Sequence, residues 1–183
     1  MNASEYHKRQ EGPATIFEVT PAPPKKFMFI VIMGGVLGLI ALASFTSMPI
    51  FSLIMMGFAG WAIWFGWVRD LRPAAHRNRS TFKVTGETIE SNGQSFRKDD
   101  IHRLIIKNGI TNDVKGIPGV LIPVSTSTAI GAAHRMQVAL TANGLEVEAG
   151  GRGHVLAGGM DETTAFGLLS DVSRVLGFRT TAT

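Results

Sequence analysis

Cysteine is absent from this 183-residue chain. Its absence excludes disulfides, thiolate nucleophiles, cysteine-ligated zinc and lipid attachment at a cysteine, and by itself assigns no compartment. A second absence is local. Between Lys26 and Arg69 stand 42 consecutive residues without Asp, Glu, Lys, Arg or His. As continuous helix at about 1.5 Å per residue they would extend roughly 60 Å, against a bilayer hydrocarbon core of about 30 Å. The run is too long for one crossing and fits two. The third thing missing is a basic excess in the C-terminal half. The formal charge is +4, but residues 80–183 carry ten basic and ten acidic side chains. The surplus sits in residues 1–26 (four Lys/Arg against three Glu) and 69–79 (four Arg against Asp70). A nucleic-acid-binding domain more often carries a basic face of its own, so the distribution argues against nucleic acid as a partner.

The uncharged run divides at "TSMP" into residues 27–45 and 49–68, each near the 20-residue length of a membrane-spanning helix. Ser47 is expected to cap the second helix and Pro49 to stand in its first turn. So short a link implies an antiparallel helical hairpin. Lys25 and Lys26 precede the first helix, and Arg69, Arg72, Arg77 and Arg79 follow the second, while the link carries no charge. The positive-inside rule then places both chain ends on the cytoplasmic side. Phe27, Phe29, Trp64 and Trp67, with Lys25, Lys26, Arg69 and Arg72, are the expected membrane-interface residues. The rival reading of the first run is a signal peptide cleaved near "ALA" at 41–43; a 26-residue leader with three glutamates and a second apolar run directly afterwards oppose it. Gly34 and Gly38, and Gly57 and Gly60, are candidate helix-packing positions, serving either contact within the hairpin or assembly with another membrane helix. No ionisable residue lies within either apolar run, which opposes a proton or ion path through this chain alone.

Residues 1–26, with Pro13, Pro21, Pro23 and Pro24, are expected to form an extended or disordered arm. Its "TIFEV" offers a strand for a partner's sheet. After the basic linker 69–79 the pattern becomes short strands: "STFKV" and "ETIES", a hairpin turn at Asn92-Gly93, then a longer strand from Ile101 to Lys107. "GVLIPV" is a further candidate. A second hairpin is expected at Asn143-Gly144, joining strands at 136–141 and 145–148, and "GHVLAGG" forms a final short strand. The last element is helical, with Asp161 as N-cap, Glu162 in the first turn, Ala165, Leu168, Leu169, Val172 and Leu176 in an apolar stripe, and Gly177 at the end.

About seven strands followed by one amphipathic helix over residues 80–178 resembles the pleckstrin-homology-like (PH-like) fold, in particular the bacterial PH-like domains found beside membrane spans. The run "FKVTGETIESNGQSFRKDDIHRLII" carries the likeness. The expected fold class is therefore a membrane α-helical hairpin plus an α+β, mainly-β domain: a PH-like, partly open barrel with a C-terminal amphipathic helix, and 179–183 as a tail. The resemblance implies a scaffold, a protein-interaction module or a phosphoinositide binder in a bacterial inner membrane. A phosphoinositide site needs clustered Lys/Arg on an early loop. Here that loop is "SNGQ", and Arg97 and Lys98 are followed by Asp99 and Asp100.

No motif demands catalysis, a cofactor or a metal. Asp99, Asp100 and His102 are close in sequence, but neighbouring strand residues point to opposite faces, and His134 and His154 stand apart. "AGGRGHVLAGG" lacks the Lys-Ser/Thr of a phosphate-binding loop and the spacing of a dinucleotide fingerprint. Ser125, Ser127 and Thr128 have no evident base. Val120, Leu121 and Ile122, within a Gly- and Pro-rich segment, are either a buried strand or a surface for a partner or membrane. The leading expectation is a non-enzymatic membrane protein with a cytoplasmic interaction or assembly module, whose partners are membrane lipids and either other proteins of a membrane complex or copies of itself. A lipid- or ligand-sensing module is the alternative. An accessory enzyme would require Asp99, Asp100, His102, His134 or His154 to converge in one pocket.

Overall fold

The computed structural model describes residues 4–111, 114–115 and 129–178. They form two compact units: Pro24–Asp70, and a second unit made from the chain on both sides of it, Met1–Pro23 with Leu71–Thr183.

The arm is not a separate extended or disordered segment. It folds into β1 (Glu5–Glu11) and β2 (Ala14–Thr20), paired antiparallel around Gly12-Pro13. Gly12 has φ +61°, and a glycine at the first of two turn positions matches the tight turns that join twisted strands. "TIFEV" pairs with β3 of this same chain rather than being left for a partner, with Phe17 opposite Phe82. The reason is burial: Phe17 and Val19 alternate with exposed Glu18 and are fully removed from solvent, and the Phe17 and Phe82 rings stack with centroids 5.4 Å apart.

The inserted unit is a pair of antiparallel helices, α1 (Met28–Ser44) and α2 (Pro49–Val68). Gly34 faces Ala59, Ala62 and Ile63, and Gly66 faces Phe27 and Val31. Met48, not Ser47, occupies the N-cap of α2, with no side-chain cap, and Pro49 opens the helix. One helix, Pro49–Val68, is long and apolar enough to cross a membrane; α1, at 17 residues, falls short of that length. Both are apolar around their whole circumference, and most of their large side chains are exposed.

The second unit resumes with β3 (Ser80–Val84), β4 (Thr88–Ser91) and β5 (Gln94–Arg97). Together with the arm they make an antiparallel sheet in the order β1-β2-β3-β4-β5. Asn92 and Gly93, at φ +50° and +76°, form the expected turn between β4 and β5. Next come β6 (Ile101–Asn108), β7 (Val114–Lys115), α3 (Ala129–Ala139), β8 (Asn143–Ala149) and β9 (Arg152–Met160). These strands form a second antiparallel sheet ordered β7-β6-β8-β9. The strand expected at 136–141 is instead the end of α3 and the turn after it. Its large apolar residues, Met136, Val138 and Leu140, recur at every second position as in a strand, but His134 and Val138, four apart, are the buried pair, which is helical spacing, and Ala, Met, Gln and Arg favour helix. Asn143-Gly144 is not a turn; it opens β8, and Gly150-Gly151 (φ +58° and +75°) turns the chain into β9. "GVLIPV" lies outside the described residues.

α4 (Glu162–Leu176) closes the unit. Asp161 Oδ1 accepts from the Thr164 backbone N–H at 2.9 Å, and Gly177 ends the helix at φ +69°. Its buried face, Ala165, Leu168, Val172 and Leu176, joins Phe17, Phe82 and Ile89 of the first sheet and Ile106, Leu145 and Leu156 of the second in one core. The unit is therefore an α+β fold of two antiparallel sheets and a covering helix, and the sheets do not close into a barrel.

Candidate functional site: the Arg72–His76 anchor

The linker 69–79 reads as a basic tether, yet it contributes two of the most buried polar side chains among the described residues. Arg72 is 2% exposed and His76 3%. Arg72 was expected at a membrane interface. Instead its guanidinium Nη1 donates to the Ala22 carbonyl at 2.6 Å, and Arg77 Nε donates to the Arg72 carbonyl at 2.7 Å. The N–H of Ala22 donates in turn to Gly159 O of β9 at 2.8 Å. The segment leaving this unit toward α1 and the segment returning from α2 are thus tied to each other and to one strand. Charge-assisted bonds of this kind are among the stronger ones a protein makes.

His76 ends a short 3₁₀ turn, Ala74–His76, whose preceding Pro73 fixes the approach. Its ring enters a cage of glycines. A Cβ on Gly158 would lie 2.6 Å from Cγ and Cδ2 of the imidazole, one on Gly144 2.8 Å from Cε1, and one on Gly109 2.9 Å from Cε1. Any side chain there would displace the ring. Gly159, at φ +74°, takes a backbone conformation that favours glycine, and a Cβ on it would collide with the His76 carbonyl. Nδ1 lies 3.1 Å from Ala142 O. Since a carbonyl only accepts, Nδ1 carries the hydrogen. Burial pushes the His76 pKa below the ordinary histidine value; the hydrogen bond to Ala142 acts in the opposite sense, and the Arg72 charge adds to the lowering. The ring is therefore neutral near pH 7.

Two asparagines brace the cage. Asn108 Nδ2 donates to Ala139 O at 2.7 Å and to Asn143 Oδ1 at 3.0 Å, while its Oδ1 accepts from the N–H groups of Ile110 and Thr111. Asn143 Nδ2 donates to Met160 O at 3.2 Å. Of the three Asn-Gly pairs in this region, Asn92-Gly93 turns a hairpin, Asn108-Gly109 opens the turn that follows β6, and Asn143-Gly144 opens β8. In the last two, at 108–109 and 143–144, the asparagine bridges strands and the glycine admits His76. The sequence signal for this site was the repetition of Asn-Gly and Gly-Gly at strand ends, which reads first as turn chemistry.

The remaining predicted residues fall in several places. Within the inserted unit, Lys26 Nζ sits 3.3 Å from the Trp67 ring centroid and the Arg69 guanidinium 4.6 Å from that of Phe65. The Phe27 N–H donates to Gly66 O, which puts both chain ends of this unit side by side. Phe29, Trp64 and Trp67 are about half exposed, and Lys25 is also accessible. Gly34 makes the tight interhelical contact and Gly38 an ordinary one, 3.7 Å to Ala59 Cβ, whereas Gly57 and Gly60 meet nothing within 4 Å. Gly66, unremarked in the sequence, packs as closely as Gly34. Val120, Leu121 and Ile122 lie outside the described residues, as do Ser125, Ser127 and Thr128.

Asp99, Asp100, His102 and His154 line one open depression of about 470 Å³ with Ser95 and Phe96, and the Phe96 and His154 rings lie 4.7 Å apart. Among the described residues no three His, Cys, Asp or Glu side chains are grouped to hold a metal ion. His134 does not line that depression; it is buried on α3, and burial lowers its pKa.

Chemically the anchor is a fastening: a neutral imidazole and a guanidinium each donate to a main-chain carbonyl within the β unit. Comparison with protein-family models, curated proteins and solved structures gives no match for this chain.

Proposed function

We propose that this chain is a non-enzymatic integral membrane protein, in which α1 and α2 form a transmembrane hairpin and the β unit is a cytoplasmic, PH-like interaction or assembly module. The observation that carries the reading is the apolar surface of the hairpin. Ile32, Val36, Leu39, Ile50, Leu53, Phe58 and Trp61 are 47–75% exposed on helices with no charged residue. A helix apolar on every side needs either a protein core or lipid around it. Lys26 over Trp67 and Arg69 over Phe65 suit a headgroup boundary at the end where the chain enters and leaves. Fastening both connecting segments in one β unit suits a module held at a membrane surface. Beyond the hairpin, Met136 and Leu140, one helical turn apart around the end of α3, are more than two-thirds exposed and offer a contact for a protein partner. A bacterial inner membrane follows from the PH-like resemblance.

Reporter fusions test the arrangement. A fusion after Thr183 is expected to be active in the cytoplasm and one inserted at Thr46 on the opposite side; the reverse pattern would overturn the orientation. Crosslinking in native membranes followed by purification in mild detergent should recover a complex, and a reproducibly lone monomer would count against assembly. A ligand-sensing role is the second reading, favoured by the depression between Phe96, Asp99, His102 and His154. Thermal stabilisation of the protein by a cationic small molecule or by anionic vesicles would support it, and the absence of both would remove it.

A further inference from the structure

His76 is caged by main chain on three sides, and the groups meeting it do not titrate. From the strands and their ends these are Gly109, Ala142, Gly144, Gly158 and Gly159. From its own linker come Pro73 and one charged group, the Arg72 guanidinium. The cage accommodates an uncharged ring that donates once to Ala142 O. A second proton, on Nε2, would place a full positive charge in a site 3% exposed, lined by glycine Cα atoms and already under the field of Arg72. Burying a charge without a counter-charge is among the more costly events in a folded protein.

We propose that His76 is an acid-labile pin: protonation expels the ring from its glycine cage and frees linker residues 71–79, and with them the tie to Ala22, from the β unit. The device is built from position. The pin stands at the crossing point of both segments that connect this unit to the apolar hairpin, so a single proton acts on both connections. The inference does not depend on whether the hairpin spans a membrane.

The direction with pH follows from comparing caged and free rings. The free ring titrates at the ordinary histidine value of 6.5, and burial holds the caged ring lower. Between those two values the released state binds more protons than the docked state, so docking strengthens as pH rises through this window. It is at full strength above about 6.5 and weakens below it. One pH unit under the ordinary value of about 6.5 the released population gains about tenfold, provided the caged ring stays neutral there.

Amide hydrogen exchange on the full chain in detergent micelles, at pH 7.5 and 5.5 and corrected for intrinsic exchange rates, reads this directly. The reporters are the N–H groups of His76, Arg77 and Ala22, bonded to Pro73 O, Ala74 O and Gly159 O. In the wild type their protection should fall about tenfold on acidification, while the Phe17–Phe82 strand pair keeps its protection. The variant His76→Gln, which can still donate to Ala142 O and cannot be protonated, should lose the pH dependence. Equal loss in wild type and variant, or no loss in the wild type, overturns the proposal. Should the variant fail to fold, ¹³C-labelled histidine in the wild type decides: the His76 ring signal must convert to the protonated form together with the loss of linker protection. A ring that protonates while the Ala22, His76 and Arg77 amides stay protected also overturns it.

Discussion

At the scale of single residues, glycine has two different uses in this chain, and they respond differently to substitution. At Gly93 and Gly150 the backbone turns with positive φ and a Cβ would meet nothing within 4 Å, so the constraint there is conformational. At Gly158 the constraint is space: the first added carbon would lie 2.6 Å from the His76 ring, which cannot retreat from a cage already closed by Gly109 and Gly144. Gly158→Ala is therefore expected to destabilise the β unit by roughly 1–3 kcal/mol, the usual range for overpacking a filled site. Gly86→Ala, with open space around it and an ordinary φ, should stay within about 0.5 kcal/mol of wild type. Urea unfolding midpoints of the two variants make the comparison. Equal midpoints would show that the ring is not held as described. Asp161 follows similar logic with hydrogen bonds. Burial pushes its carboxyl up, but donation from Thr164 and Ser4 outweighs this and holds it below the ordinary aspartate value. Its capping is thus fully present above that value and fades as pH falls beneath it.

Among the elements, the apolar helices show how small residues divide a surface. Gly34, Ala41, Ala59, Ala62 and Gly66 are buried between α1 and α2, and at Gly34 a Cβ would come within 2.9 Å of Ile63 Cγ1 and 3.0 Å of Ala59 O. Gly57 and Gly60 lie away from that seam. Gly34→Val should therefore loosen the hairpin, measured as lost crosslinking between cysteines introduced at positions 38 and 59, whereas Gly57→Val should leave it intact. Identical behaviour of the two variants would contradict the seam. α4 was the most legible element, because cap, stripe and αL stop all lie within one local stretch. The end of α3 reads as a strand because Met136, Val138 and Leu140 recur at every second position, and the joint burial of His134 and Val138, four apart, shows which period is in use.

For the molecule as a whole, the β unit is discontinuous: β1 and β2 come before the hairpin and everything else after it. Residues 80–178 alone would lack Phe17 and Val19, both fully buried, as well as the Arg72–His76 anchor. Truncating a single buried phenylalanine typically costs about 3–5 kcal/mol, a large share of the roughly 5–15 kcal/mol that holds an ordinary domain. The fragment 80–178 is expected to be unfolded or aggregated. A chain joining residues 4–23 to 71–178 through a short Gly/Ser linker should fold, since Arg72 and Ala22 already meet through a 2.6 Å hydrogen bond. Dispersed amide proton resonances for the joined chain and their absence from the fragment would verify the boundary. A well-folded 80–178 fragment would refute it.

Local chemistry determines much of this protein independently of any tertiary contact. The uncharged run, its division at "TSMP", the turn at Asn92-Gly93, the strand from Ile101 and the caps of α4 each depend on neighbours within a few residues. The tertiary structure decided what depends on distant partners. The arm became two strands because Phe82 lay waiting for Phe17. Arg72, by sequence one more cation flanking an apolar run, was buried because Ala22, fifty residues away, presents it a carbonyl. Asn143-Gly144, by sequence a hairpin turn, opens a strand instead, and its glycine, like Gly109, leaves to a histidine from another segment the room of a missing Cβ.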